Sequence, residues 1–276
     1  MDESGTAQEQ HGVIDLELDR PHSARMYDYF LGGITNFPAD REAAARTIAA
    51  FPSTLIAARS NRAFMRRSTR HLALLGIEQF LDIGTGIPTS PNLHEVAQGI
   101  TPRARVVYTD NDPIVLTHAR ALLHSRPEGA TAYMQADVTD PTALLAHPVL
   151  RSTLDFDRPI ALSLNALLHF VTDEHHAHAV VEVLKAALPS GSMLVISHAT
   201  PDFDPEALAR ITAVYQAAGT AVQARPRDEI ARFFAGWELL DAGLQPILRW
   251  HPDPDEAHLT FADAEAACYA GVARKP

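Results

Sequence analysis

One stretch constrains the fold of this chain more than any other: Gln79-Phe80-Leu81-Asp82-Ile83-Gly84-Thr85-Gly86-Ile87-Pro88-Thr89. Residues 79–83 read as a short buried strand. Gly84 and Gly86 make the turn after it, and Ser90-Pro91 reads as a helix start, a capping hydroxyl followed by a proline in the first turn. A strand, a glycine turn and a helix are how an α/β sheet offers backbone N–H groups to a nucleotide-like ligand. Asp82, at the strand end, is placed to reach a cationic or hydroxyl group of such a ligand. The dinucleotide fingerprint G-x-G-x-x-G is incomplete. Thr89, preceded by Pro88, holds its third position, which counts against a pyrophosphate on the helix N-terminus.

The residues after this stretch alternate between strand and helix patterns. Strands are expected at 105–110, 130–135, 159–164, 192–197, 237–240 and 266–273. Helices are expected near 91–99, 113–125, 142–146, 173–188, 205–218 and 227–234; in the second, Val115, Leu116, Ala119, Leu122 and Leu123 share one face. Strands joined by helical crossovers imply a Rossmann-like α/β fold, a seven-stranded, mostly parallel sheet covered on both faces. The last two strands lack a clear helix between them, so one of them is expected to run antiparallel at an edge. Ahead of the sheet the chain reads as all helix, with segments at 22–31, 40–50 and 54–75 and a Gly32-Gly33 break. The expected organisation is a mobile tail over 1–19, a helical lid or appendage over 20–76 and a ligand-binding α/β domain over 77–276.

The chain has 276 residues, 46% of them hydrophobic, which is enough for a sizeable core. No apolar run approaches the ~20 residues of a membrane span. The first residues, Met1-Asp2-Glu3-Ser4, lack the basic and apolar regions of a signal peptide. A single cysteine, Cys268, excludes an intrachain disulfide and is expected to pack in the last strand, so a soluble cytoplasmic protein is the expectation. With 23 basic and 34 acidic residues the net charge is −11, which repels phosphate backbones and argues against nucleic acid as a partner. Arg59, Arg62, Arg66, Arg67 and Arg70 recur at helical spacing and are expected to form a solvated face.

The ends of the first four expected strands carry Gly84-Thr85-Gly86, Asp110-Asn111-Asp112, Ala136-Asp137-Val138 and Asn165-Ala166. One carboxylate after a second strand suits a ribose diol, and Asp110 lies 24 positions past Gly86, near the ~20 expected for that role. Asp137 is placed to accept from an adenine amino group.

This order resembles that of class I S-adenosylmethionine-dependent methyltransferases. Phe80–Gly86 is similar to their glycine motif, Val107-Tyr108-Thr109-Asp110-Asn111-Asp112-Pro113 to their ribose-binding motif, Gln135-Ala136-Asp137-Val138 to their adenine-contacting motif, and Leu184–Ser192 to the turn before their fifth strand. A narrower resemblance runs over nearly the whole chain. Ala24–Gly33, Asn36-Phe37, Ala39-Asp40-Arg41, Ser60–Phe64, Gly86–Thr89, Arg232-Phe233-Phe234 and Trp250-His251-Pro252 look like an actinomycete-type methyltransferase family of undefined substrate. The resemblance implies the fold and S-adenosylmethionine as cofactor. It implies cofactor contacts at Asp82, Gly84, Thr85, Gly86, Thr89, Asp110, Asn111, Asp137, Val138 and Asn165.

Methyl transfer from a sulfonium needs chiefly alignment of donor and acceptor, and a general base only where the acceptor must lose a proton. His169 and Tyr27 are the candidates for a catalytic role. Tyr27, Asn36, Phe37 and Arg41, in a front piece suited to fold over the cofactor, and His169 and His198, after strands, are the candidate lid and acceptor contacts. Glu174-His175-His176-Ala177-His178 reads as a solvated first helical turn, since adjacent histidines diverge around a helix, and no metal is expected. A small-molecule acceptor is the expectation. Two other readings stay open: a non-catalytic protein that binds the cofactor or its demethylated product, and a nicotinamide-dependent oxidoreductase, against which Thr89 speaks.

Overall fold

The computed structural model describes residues 18–122, 124–254 and 260–276. Residues 1–17 of the expected tail and Leu123 of the expected 113–125 helix lie outside the described residues.

Three helices lead the chain, α1 (Ser23–Phe30), α2 (Pro38–Ala50) and α3 (Thr54–Leu74). Then come β1 (Gln79–Ile83), α4 (Leu93–Ile100), β2 (Arg105–Asp110), α5 (Pro113–Leu122), β3 (Ala130–Gln135), α6 (Pro141–Ala146), α7 (Pro148–Thr153) and β4 (Ala161–Asn165). The remainder is α8 (Ala177–Ala186), β5 (Met193–Ala199), α9 (Pro205–Ala217), α10 (Arg227–Arg232), β6 (Glu238–Leu239), β7 (Gln245–Pro246), α11 (Asp263–Ala266) and β8 (Cys268–Arg274).

Five parallel strands lie in the order β3-β2-β1-β4-β5, and β8 closes the sheet antiparallel to β5, Leu194 facing Ala273 and Ile196 facing Gly271. The outer side of β8 is taken by two dipeptide strands, β6 and β7. The second of these makes the count eight rather than seven; two residues, one of them Pro246, carry no strand period to read. Strand order reverses between β1 and β4, and in an open parallel sheet that reversal opens a crevice at the carboxyl ends.

One apolar layer packs α6, α7, α8 and α10 on the sheet through Leu144, Leu150, Val181, Leu184, Ile230 and Phe233. The other packs α3 and α4 through Phe64, Leu72, Leu93 and Ala97, with Trp250 edge-on to Phe64 at 5.2 Å. Gln79 on β1 has both amide roles filled: it accepts from Asp155 N at 2.7 Å and donates to Asp155 O at 2.9 Å.

The local starts and stops explain where the elements differ from their expected ranges. The helix after β1 begins at Leu93, not at Ser90-Pro91, because Asn92 is its cap and the Glu95 carboxylate accepts from Asn92 N. The expected 173–188 helix is interrupted: Asp173–His175 is a single tight turn and His176 sits at φ 54°, so α8 starts only at Ala177. His178 then stacks on Phe233, while His175 pairs with Thr172.

The arginine stripe of α3 is not one solvated face. Arg67 is buried and donates to Trp250 O at 2.9 Å and Ile247 O at 2.8 Å. Arg70 pairs with Asp253, and Arg62 donates to the carbonyls of Thr89 and Pro91. Of the other two, Arg59 is exposed and Arg66 is half-buried.

The Gly32-Gly33 break is a pinned turn. Gly32 takes φ 80°, and a Cβ on Gly33 would fall 1.9 Å from the Asp28 carboxylate. That carboxylate also accepts from Thr35 N and from Asn36 Nδ2, each at 2.8 Å.

Candidate active site

The crevice at the strand reversal opens into a cavity with two unlike halves. The first is built from the ends of β1, β2 and β3, namely Asp82 to Gly86, Asp110, Asn111, Ala136, Asp137 and Val138, with His22 to Ala24 from the start of α1 and Arg62 from α3.

The glycine turn does not present its N–H groups to this half. Gly84 N and Thr85 N both donate to Thr109 O, and Gly86 N donates to Asp110 Oδ2 at 2.9 Å. Thr89 N donates to Asn92 Oδ1 at 3.0 Å. The turn and the start of α4 therefore satisfy themselves and leave no cradle for a pyrophosphate. The glycines serve shape instead: Gly84 and Gly86 take φ 74° and 68°, and at Gly84 a Cβ would fall 2.7 Å from Leu167 Cδ1.

Asp110 is buried and also accepts from Asp112 N at 3.0 Å. Burial raises its pKa, and the two backbone N–H groups and nearby His22 oppose that rise. Asp82 is buried as well, and burial pushes its pKa up to about 6 against the hydrogen bond from Ser163 and the charge of Arg62. Asp137 is exposed, and its carboxylate accepts from Thr139 N and Oγ1, each at 2.8 Å. Its turn role leaves the other oxygen open to a ligand.

Asn165, at the end of β4, donates to Ser163 Oγ at 2.7 Å, and its Oδ1 is buried with no hydrogen-bond partner. Ala166 follows at φ 50°, a costly conformation for a residue with a Cβ, held by its N–H donating to Ser197 Oγ at 2.8 Å.

The second half lies under the leading helices. Its wall comes from α1 (Tyr27, Phe30), the chain before and along α3 (Phe51, Ala57, Ala58), α9 (Leu208, Ile211, Tyr215), Val222, Ala224 and Cys268. Tyr27 is locked in place: its hydroxyl donates to Ala58 O and accepts from Asn61 Nδ2, both at 2.9 Å. Asn61 in turn accepts from Ser197 Oγ at 2.5 Å. Burial lifts the Tyr27 phenol to about 12.

His169 sits where the halves meet, after β4. Burial and then the Arg225 charge hold its pKa down at about 4, so the ring is neutral at neutral pH, and its Nδ1 is buried with no partner. Cys268 is also at the wall, its thiol raised to about 12 by burial, which leaves it an inert apolar group.

Four of the residues singled out from sequence lie away from the cavity wall, and a fifth, His198, stands behind it. Thr89 is engaged by Asn92 and Arg62 on the far side of the turn. Asn36 and Arg41 hold each other and Asp28, with Arg41 Nη1 donating to Asn36 O at 2.6 Å. Phe37 packs on Ile87, Ile114 and Val115. His198 is fully buried, its Nδ1 at 2.7 Å from Ala199 O and its Nε2 at 3.0 Å from Arg225 Nη1. Tyr27, Asp82, Gly84, Thr85, Gly86, Asp110, Asn111, Asp137, Val138, Asn165 and His169 do line it.

Sequence reading missed His22, Tyr215 and the true position of Arg62. His22 caps α1 and lies 3.3 Å from Asp112 Oδ2, while Arg25 bridges Asp112 and Asp40 at 3.4 and 3.6 Å. For Arg62 one signal existed, the match at Ser60–Phe64; Tyr215 sits in a helix whose periodicity says nothing of what its aromatic face meets.

The chain from residue 8 to residue 276 matches the family model described as S-adenosyl methyltransferase. Among solved structures it is similar to a DUF574-family protein from Streptomyces avermitilis MA-4680, 47% identical over 95% of this chain and 100% of that one, with a TM-score of 0.92. It is also similar to a provisionally assigned methyltransferase from Thermobifida fusca YX, 39% identical over 94% of this chain and 97% of that one, TM-score 0.87. An O-methyltransferase family protein from Burkholderia thailandensis, 15% identical over 81% of this chain and 58% of that one, shares the fold at a TM-score of 0.53. No curated protein matches the chain. A matched model over nearly the full length, on a sheet with an acidic crevice and a self-satisfied glycine turn, makes this chain a member of the S-adenosyl methyltransferase family, with S-adenosylmethionine as its cofactor.

Proposed function

We propose that the protein methylates a small molecule, with the cofactor in the strand-end half of the cavity and the acceptor in the half beneath α1, α3 and α9. The observation that carries this reading is the continuity of one cavity across the two halves, one lined by carboxylates and the other by apolar side chains.

The residues of the first half suit the cofactor part by part. Asp110 is positioned for the ribose hydroxyls, Asp137 and Val138 for the adenine, and the unpartnered Asn165 Oδ1 for a donor on the ligand. Asp82 and Arg62 suit the ammonium and carboxylate of the amino-acid end. Arg62 uses Nη2 on the carbonyls of Thr89 and Pro91, and its Nε and Nη1 make no hydrogen bond among the described residues.

When bound, the cofactor supplies an electrophilic methyl group on a sulfonium. The protein's part is alignment and exclusion of water. Neither Tyr27, with both hydroxyl roles filled, nor His169, a weak base in its apolar seat, is tuned to take a proton at neutral pH. His169 instead offers a neutral hydrogen-bonding edge at the junction. We place the leading helices as the roof of the acceptor half.

Calorimetric titration with S-adenosylmethionine, its demethylated product S-adenosylhomocysteine and NAD tests the reading. Micromolar binding of the first two, weakened at least tenfold by Asp110→Ala, and none of NAD is expected. Equal binding by wild type and variant refutes the proposed ribose site.

A further inference from the structure

The second half of the cavity also says what kind of acceptor it takes, on the reading that the cofactor fills the first half. The aspartates of the cavity wall, Asp82, Asp110 and Asp137, stand at or just after the strand ends, and Arg62 lies between the halves, its charge reaching both Asp82 and Tyr27. The acceptor half carries no Asp, Glu, Lys or Arg side chain among the described residues. Its aromatic members come from three directions: Phe30 from α1, Phe51 from the chain before α3, and Tyr215 from α9, with Phe170 at 5.5 Å from the Tyr215 ring.

Two polar groups in the wall of this space have no hydrogen-bond partner among the described residues. The Tyr215 hydroxyl makes no hydrogen bond among the described residues, and His169 Nδ1 is buried unpaired. A buried polar group without a partner is costly, so a ligand that pairs with one recovers binding energy that a wholly apolar ligand does not. A charged ligand would enter with no counterion and lose its hydration.

We propose that the methyl acceptor is an uncharged aromatic molecule whose ring lies among Phe30, Phe51 and Phe170 and whose hydrogen-bonding group is met by Tyr215 and His169. The titratable side chains of this half respond as such an environment requires. Burial drives the Tyr215 and Cys268 protons to high pKa and the His169 proton to low pKa, so each is held in its neutral form.

Three probes with one ring isolate the charge: 4-ethylphenol, tyramine as the cation and 4-hydroxyphenylacetate as the anion. Each is titrated by ligand-observed NMR into wild-type protein with and without saturating S-adenosylhomocysteine, and into Ile211→Asp and Tyr215→Phe. The expected result is saturable binding of 4-ethylphenol at least tenfold tighter than of either charged analogue. Ile211→Asp should abolish it, and Tyr215→Phe should weaken it severalfold, while both variants bind S-adenosylhomocysteine as wild type does, which also shows that they fold. Equal binding of the three probes, no saturable binding of any, or undiminished 4-ethylphenol binding by Ile211→Asp overturns the proposal. Loss of S-adenosylhomocysteine binding by the wild type would strike the cofactor assignment instead, and the probe series without cofactor would still decide this one.

Discussion

Arg62 gives the sharpest test of how the strand-end half is used. Replacing it with alanine removes a partly exposed guanidinium beside Asp82 and two hydrogen bonds that hold the Thr89 and Pro91 carbonyls. A charge-assisted hydrogen bond contributes about 1.5–3 kcal/mol. Partial exposure takes the lower part of that range, so loss of a carboxylate contact should weaken binding about ten- to thirtyfold. The ligand pair that isolates the contact is S-adenosylhomocysteine and 5′-methylthioadenosine, which keeps the adenosine and the thioether but lacks the amino-acid end. Loosening of the 84–91 loop would weaken both ligands alike. Loss of a contact to the carboxylate weakens only the first. Calorimetry on wild type and Arg62→Ala should therefore show the ratio of the two affinities collapsing by about tenfold or more. A ratio that stays at its wild-type value, whatever happens to the individual affinities, refutes the role given to Arg62.

Three further outcomes follow from the same geometry. The folded-state pKa of Asp82, about 6, lies above its ordinary 3.8, so the folded protein binds the extra proton and stability falls as pH rises from about 4 through about 6; urea unfolding of Asp82→Asn should recover about 3 kcal/mol at pH 8 and little at pH 4, and a gain equal at both refutes the assignment. Arg225 is fully buried with donors on Leu168 O, Val171 O and the exposed Asp173, so Arg225→Met, which orphans the two buried carbonyls, should cost about 2–4 kcal/mol in denaturant unfolding and raise the His169 pKa by NMR, and a loss under 1 kcal/mol would show the cluster to be dispensable. Removal of residues 1–50 takes away His22 and Arg25, which flank Asp112 beside Asp110; a truncated chain that retains its circular dichroism spectrum should bind S-adenosylhomocysteine more weakly, and unchanged affinity would sink the idea of a roof that closes on the site.

What was legible in the sequence was whatever a local pattern can carry. The all-apolar flanks of Asp82 and the run Val106-Val107-Tyr108 mark strands because both faces of a parallel sheet are buried, and β1, β2 and β3 begin and end where the pattern does. The acidic strand ends were legible for the same reason, since a carboxylate that ends a buried run has to face something. What stayed hidden depends on partners far away along the chain. Arg62 and Arg67 look alike on a helical stripe, yet one turns to the loop after β1 and the other to carbonyls near residue 250. Thr89 occupies a fingerprint position in the sequence, but Asn92 and Glu95 move the start of α4 past it. Tyr215 meets the cavity only because α9 packs against α2, a pairing no spacing encodes.

The bond from Arg67 to the carbonyls of Ile247 and Trp250 has a consequence for synthesis. The donor and its farther acceptor are 183 residues apart. At about 5–20 residues per second, α3 is made roughly 10–40 s before the carbonyls that its guanidinium serves. Through that interval the cation must stay in water and Phe64 must do without Trp250, the ring it meets edge-on. The first long helix to leave the ribosome is thus among the last to be sealed, and the nascent chain carries one exposed aromatic face until its C-terminal segment arrives.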